Sequence, residues 1–450
     1  TMSKDIRIKK GLDIKLVGAA EKTTKEISLS KVYAVKPEEF HGITTKLIAK
    51  EGTEVKAGET LFYSKSDERI LFSSPVSGKV VEVVRGARRK VLAIKIAADT
   101  AQKHKDFGTK DATKMSAEEV KTHLFASGCW PFVKQRPYDV IANPNQAPKA
   151  IFVSAYASAP LAADLDFTLA GKETELQAAI TAISKLTEGK VHVSVGAKSN
   201  SPLANLNDAE IHRVSGPHPS GNVSTQIATI DPINKGEVVW VITPQDLVII
   251  GELFLTGKYN AKRTIALTGS KFSKPQYVTA IAGASIADIV ADNLENDNTR
   301  IISGNVLSGT HVKEDGFIGY YDNQITAIPE GDDYEFFGWN KPVFNKISAS
   351  RALTFSWLTP NKKYDLNTNT NGEHRAFVVT GAFEEVFPLD IYPMQLLKAF
   401  MYKDLDEMEA LGAYEVAPED FALTEFICVS KQPHQKVVRE GLDLMREELG

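Results

Sequence analysis

Cysteine is nearly absent: Cys129 and Cys428 are the two in 450 residues. That is too few for a disulfide framework or a four-thiolate cluster, and it suits a reducing compartment. Long apolar runs are missing too. No stretch approaches the roughly 20 residues a membrane-crossing helix needs, and the start, TMSKDIRIKKGLDI, holds no signal-peptide apolar core. Basic runs are confined to RGARRK at 85–90 in a chain of formal net charge −4, which sets nucleic-acid binding aside; the run reads as a solvated hairpin in preference to an anionic-lipid contact. Catalytic signatures are lacking as well. There is no HExxH, no GxSxG and no His/Asp/Glu cluster at metal spacing, so hydrolytic and metal chemistry have no candidate residues. VGAKS at 195–199 lacks the first glycine and the Gly-Lys-Ser/Thr order of a phosphate loop. The expectation is a cytoplasmic chain with no self-contained catalytic site.

What is present is the composition of an ordinary soluble protein, 43% hydrophobic and 24% charged, in a chain too long for one core. Residues 55–80, VKAGETLFYSKSDERILFSSPVSGKV, follow the two half-motifs of biotinyl and lipoyl carrier domains. The carrier lysine sits about eight residues before the proline of the second half-motif, beside methionine. Counting back from Pro75 reaches Asp67, and Lys65 lies in SKSDER with no methionine next to it. The segment therefore reads as a β barrel-sandwich over 1–100 without covalent cofactor, with turns at Gly58 and Gly78.

Beyond it, SAEEVKTHLFASG predicts a helix from N-cap Ser116, through the capping-box Glu119, to Gly128. CWPFVKQRPYDVIANPNQAPK is broken by prolines and reads as a long loop, completing a linker over 101–147. AIFVSAY, then Leu176, Ile180, Ile183 and Leu186 at helical spacing, then KVHVSVG give strand, helix and strand, so 148–258 reads as a Rossmann-like α/β domain. A β-grasp over 259–315 is expected around the helix of Ile286, Ile289 and Val290, followed by a β-rich segment over 316–376 and a helical domain over 377–450. The fold class is mixed, α+β and α/β, in several domains.

Several long motifs in this order, IKKGLDIKLVG, SPVSGKVVEVVRGARRKVL, LTEGKVHV, SGPHPSGN, ELFLTGKYN, GWNKPVFNKIS and FPLDIYPMQLLKAF, closely resemble the NqrA family, the A subunits of the bacterial Na⁺-translocating NADH:quinone oxidoreductase, over nearly the full length. The domain order is also similar to the flavin-binding subunit of complex I and the C subunit of the Rnf complex, which implies a β-grasp of the SLBB type. In those relatives a glycine-rich loop cradles flavin phosphate and a CxxC-type run holds an iron-sulfur cluster. Here the loop position reads SGCWPFVKQRPYD, and Cys428 stands alone in FICVSKQPHQK. The resemblance implies an electron-transfer subunit that has lost its redox centres, peripheral on the cytoplasmic side of the inner membrane. Its expected partners are the other subunits of the complex, especially one embedded in the membrane.

It also implies a role in or near quinone binding, with ubiquinone or menaquinone as ligand. A quinone needs donors for its carbonyl oxygens and flat walls for its ring. His218, between prolines in SGPHPSGN, supplies a donor; Trp130 and Phe132 supply walls; Arg136 and Tyr138 add further polar groups. The competing expectations are a stiff turn at His218, loop packing at Arg136 and Tyr138, a purely structural subunit, and a stand-alone flavin-dependent NADH dehydrogenase.

Overall fold

The computed structural model describes residues 4–295, 298–333, 335–338, 340–341, 346–350 and 356–450. The N-terminal domain is two small antiparallel sheets face to face. One runs Val32–Val35, Val91–Ala98, Gly78–Arg85, Glu54–Val55; the other runs Thr45–Leu47, Thr60–Ser64, Asp67–Ser73. Alternation places Leu61, Val80, Ile94 and Ile96 inside, and Phe62 stacks on Phe72 with centroids 4.5 Å apart. Gly58 makes the expected turn at φ +88°. Gly78 instead opens a strand, where a Cβ would stand 2.0 Å from the Ala97 carbonyl oxygen. Lys65 and Ser66 form the tip between Thr60–Ser64 and Asp67–Ser73.

The helix Ala117–Ser127 starts on a complete capping box from Ser116 and Glu119 and ends at left-handed Gly128. The α/β domain that follows is a seven-stranded sheet ordered Asp5–Arg7, Glu210–Ser215, Val191–Gly196, Ile151–Ala155, Val239–Val241, Lys134–Arg136, Val140–Ile141. The first five strands are parallel, Lys134–Arg136 runs against them, and Val140–Ile141 pairs antiparallel to Lys134–Arg136. Two of these strands come from the stretch read as a proline-broken loop. Lys134–Arg136 is held on both sides, by Val239–Val241 and by Val140–Ile141, and the two-residue Val140–Ile141 forms the edge. Ile151, Val153 and Ala155 face the helices Glu173–Ser184 and Pro244–Thr256, while Phe152 faces Val223–Ile230.

The β-grasp sheet runs Thr310–Val312, Thr299–Ser303, Gln324–Pro329, Lys262–Thr268, Gln276–Ile281, Glu21–Glu26. Ile286, Ile289 and Val290 of its helix are buried as the pattern required. The N-terminal segment thus closes one edge of the α/β sheet with Asp5–Arg7 and one edge of the β-grasp sheet with Glu21–Glu26. The stretch expected to be β-rich supplies one strand, Gln324–Pro329, and the described residues from 330 to 381 hold no helix or strand. Its aromatic residues alternate with glycine, asparagine and proline, which break a ladder.

The C-terminal domain packs the helices Ala382–Val386, Pro393–Tyr402, Leu405–Ala410, Ala422–Ile427 and His434–Leu449 around Leu397, Phe400, Phe421 and Leu442. Among the described residues no helix is long and apolar enough to cross a membrane.

Candidate functional site

The loop 215–222 joins the strand Glu210–Ser215 to the helix Val223–Ile230, at the carboxyl edge of the parallel strands where α/β folds hold ligands. Its backbone is clamped from the N-terminal segment: the His218 N–H donates to Asp13 Oδ1 at 2.9 Å and its carbonyl accepts from Leu12 N–H at 2.8 Å. Gly11 makes that approach feasible, since a Cβ there would lie 2.1 Å from the His218 oxygen.

The imidazole is fixed just as tightly. The Gly221 N–H donates to Ser158 Oγ at 2.7 Å, and the same oxygen lies 3.0 Å from His218 Nδ1. In the tautomer in which the Ser158 hydroxyl proton is donated to Nδ1, the neutral ring carries its own proton on Nε2. Burial pushes the His218 pKa down to about 4, against a smaller upward pull from Asp13, so the ring is neutral at pH 7. Among the described residues no hydrogen bond takes the Nε2 proton. Tyr156 stands beside the loop, its hydroxyl donating to the Gly216 carbonyl at 3.2 Å.

Arg136 and the His218 loop converge on one turn of the helical domain. Arg136, 3% exposed, pairs with Asp139 and reaches Glu419 Oε1 at 3.3 Å; Asn222 donates to the Glu419 carbonyl and to Asp420 Oδ1 at 3.3 and 3.4 Å. Burial pushes Asp139 upward, but Arg136, Lys134 and Arg439 outweigh it and hold its carboxyl at about 2. Burial and the neighbouring Asp420 raise Glu419 to about 7, against the pull of Arg136. Tyr138 packs on the helical core, and its carbonyl accepts from Arg439 at 2.7 Å.

Trp130 and Phe132 lie elsewhere. Trp130 is fully buried, edge-on to Trp240 at 5.3 Å, with its indole N–H donating to the Ala142 carbonyl at 2.9 Å. Phe132 stacks on Tyr320 at 5.6 Å, with the Arg263 guanidinium 5.7 Å from its ring centre. Neither ring has a recorded contact with His218. At this turn, where the relatives suggested by the sequence keep glycines, the amides of Cys129, Phe132 and Val133 are spent on the carbonyls of Leu124, Cys129 and Trp130.

Sequence reading missed Ser158, Asp13, Tyr156 and the Glu419–Asp420 pair. No local spacing marks them, because they reach the site from other loops; the unbroken apolar run CWPFV, by contrast, was a signal for a core.

One cluster has the donor types of a cation site: His192, Glu210 and His212 offer ligand atoms within 4.8 Å of one another. Their protons argue otherwise. The Lys4 backbone N–H donates to His212 Nδ1 at 3.1 Å, so the proton of neutral His212 sits on Nε2 and is donated to His192 Nδ1 at 3.0 Å. Ligating histidines instead donate from the nitrogen away from the metal. The lone pairs a metal would use are spent within the pair.

Barrel-sandwich, α/β sheet, β-grasp and helical domain, with loops tied to one another, define a multidomain protein of mixed α+β and α/β class. The models of the NqrA N-terminal barrel-sandwich hybrid domain, the NqrA second alpha/beta domain and the NQRA C-terminal domain match residues 6–99, 115–259 and 264–314. The A subunit of the Na(+)-translocating NADH-quinone reductase of Neisseria meningitidis serogroup B is 35% identical over 446 residues, covering 98% of this chain and 100% of its own. That of Serratia proteamaculans is 35% identical over 450 residues with the same coverage. The chain belongs to the NqrA family, the A subunits of Na⁺-translocating NADH-quinone reductases. A solved NAD⁺-reducing [NiFe]-hydrogenase in its H₂-reduced state aligns with 49% of each chain at 11% identity and a TM-score of 0.34, too low to define a shared fold.

Proposed function

We propose that this chain is the peripheral NqrA component of a Na⁺-pumping NADH:quinone reductase, on the cytoplasmic side of the bacterial inner membrane, and that it presents His218 to a quinone, ubiquinone or menaquinone, without a flavin, iron-sulfur cluster or covalent group of its own. The relatives' names support the complex. The quinone role rests on one observation: His218 is neutral, its Nδ1 is engaged by Ser158, and in the tautomer that carries the proton on Nε2 that N–H is unspent at the carboxyl edge of the sheet. A quinone carbonyl is a neutral acceptor that takes such a donor without protonating it. Tyr156 and the flanking prolines supply the walls, Arg136 and Tyr138 hold the neighbouring loop, and Trp130 and Phe132 belong to the core behind.

The test is direct binding of a short-chain quinone to the purified chain. His218→Ala is expected to weaken affinity by about 1 kcal/mol, less than tenfold, with circular dichroism unchanged. Equal affinity in both proteins, or none in the wild type, defeats the quinone role. The buried Arg136–Glu419 contact between two domains favours the second reading, a structural subunit whose quinone is bound by a membrane partner.

A further inference from the structure

Two arginines stand where a turn is ordinarily built from glycine or asparagine. Arg88 and Arg89, at φ +53° and +60°, are consecutive left-handed residues in the connection between the strands Gly78–Arg85 and Val91–Ala98. That conformation is open to glycine and asparagine and uncommon for other side chains. The turn therefore carries a conformational cost in placing two cations, and Arg85 and Lys90 flank them. All four are exposed, and among the described residues none has an ion pair; Arg85 Nη1 donates to the Arg89 carbonyl at 3.1 Å, within the turn.

The hairpin also runs past its sheet. Glu54–Val55 flanks one strand at Gly78 and Lys79, and Val32–Val35 flanks the other no nearer the turn than Ile94. Beyond those points the two strands pair with each other alone, through Val84 with Ala93 and Arg85 with Val91. At about 3.3 Å per residue, the turn lies roughly 10 Å beyond the last flanking strand. Charge on this projection is one-sided. From Val83 to Ala98 the sequence holds five Lys or Arg and no Asp or Glu. Two acidic groups beside the stem are already engaged: Glu82 pairs with Lys95 at 2.8 Å, and Glu51 accepts the Val83 N–H at 2.9 Å.

We propose that this tip, expected from the sequence to be merely solvated, rests on an anionic lipid leaflet through Arg85, Arg88, Arg89 and Lys90. The proposal rests on the reading of this chain as a peripheral component of a membrane complex. A protein acceptor holds arginine in a fixed, bidentate fork around buried anchor side chains. Here Arg88, Arg89 and Lys90 have no recorded side-chain hydrogen bond among the described residues, and the turn's one apolar side chain is Ala87. A leaflet requires only charge near its surface, each Lys or Arg adding about fivefold to affinity until salt screens it. Because the whole chain has a formal net charge of −4, the same leaflet repels the remainder, so the tip also turns the barrel toward the membrane.

The experiment sediments the purified full-length chain with mixed phosphatidylglycerol–phosphatidylcholine vesicles and with phosphatidylcholine vesicles. Wild type is expected to bind the anionic vesicles at low salt, to leave them as salt rises, and to ignore the neutral ones. Arg88→Asn, Arg89→Asn keeps residues suited to the left-handed turn and should weaken binding at least tenfold, from about fivefold per charge. Arg88→Lys, Arg89→Lys should keep wild-type affinity. Lys398→Asn, Lys403→Asn removes the same charge at the helix Pro393–Tyr402, where both lysines are exposed and Lys403 is also left-handed, and should leave binding unchanged. Circular dichroism confirms the folding of each variant. No binding by wild type, equal affinity in the Arg88→Asn, Arg89→Asn variant, or an equal loss in the Lys398, Lys403 variant overturns the leaflet contact. Capture by the detergent-purified remaining subunits that the Arg88→Asn, Arg89→Asn variant loses, without vesicle binding by wild type, overturns it in favour of a protein surface. Failure of the complex reading shows separately, as wild type that does not bind those subunits, and takes the proposal with it.

Discussion

Glu419 and Asp420 are neighbouring carboxyl groups whose common counter-ion, Arg136, also serves Asp139. With the Glu419 pKa raised to about 7 in the folded chain from 4.5, the folded state holds a proton that the unfolded state has released. Its contribution to stability is fully present below pH 4.5 and is lost as pH rises through 7. Glu419→Gln removes that dependence. The variant should therefore gain in melting temperature relative to wild type as pH goes from 5 to 8.5, by a modest amount because the Glu419 side chain is 42% exposed and solvent screens it. A constant difference across that range would refute the raised pKa. Trp130 tests the core assignment at the same scale. Truncating this fully buried ring to alanine should cost about 3–5 kcal/mol in denaturant unfolding while leaving the quinone affinity of the folded fraction unchanged. A quinone-specific loss would return Trp130 to the binding site.

Elements differ in how plainly the sequence announced them. The helix Ala117–Ser127 was legible to the residue, since a capping box and a closing glycine are local chemistry. The strands Lys134–Arg136 and Val140–Ile141 were not, because strands of three and two residues are made by the neighbours they join and KQRPYDVI carries no alternation of its own. The site divides the same way. His218 was marked by its prolines, but Ser158, which bonds its ring, lies 60 residues away and is ordinary in its local sequence. The barrel hairpin shows the limit of counting along a motif. Lys65 does stand at the tip, yet its N–H is bonded to the Thr44 carbonyl at 2.8 Å, and Ser64 and Ser66 bond to each other at 2.8 Å where carriers have methionine. Expressed together with biotin and lipoate ligases, the chain should show its unmodified intact mass; an added biotinyl or lipoyl group would contradict this.

Across the whole molecule, burial sets the acid limit. His123, His192, His218 and His434 are each at most 6% exposed, and desolvation lowers each to about 4 from 6.5. A Lys110 charge adds to the effect at His123 and His212 adds to it at His192, while Asp13 opposes it at His218. Between pH 6.5 and 4 the unfolded chain binds protons that the folded chain refuses. Stability is therefore intact above 6.5 and is lost as pH falls toward 4, by up to roughly 3 kcal/mol for each ring. Glu39, Glu415, Glu419, Asp420 and Glu425, all raised by burial, work in the opposite direction, while Asp139 and Glu330, held at about 2, add to the loss as pH falls. The melting temperature should drop steeply from pH 6.5 to 4; a flat profile over that interval would disprove the neutral assignment of the buried rings.

The N-terminal segment has a consequence for the order of assembly during synthesis. Glu21–Glu26 is synthesised some 250 residues before its partner strand Gln276–Ile281, and Asp5–Arg7 waits for Glu210–Ser215. At typical translation rates that delay is roughly 10–50 s. The barrel between residues 32 and 98 needs no later strand and can close at once, leaving residues 5–26 unpaired until those partner strands emerge. Those residues then act as a closing stitch: when they pair, two sheets are locked by a segment made before them, and the Asp13 and Leu12 contacts that fix His218 join the same element. A site assembled in that order is finished only on a fully synthesised α/β domain, so a truncated nascent chain would carry the histidine without its geometry.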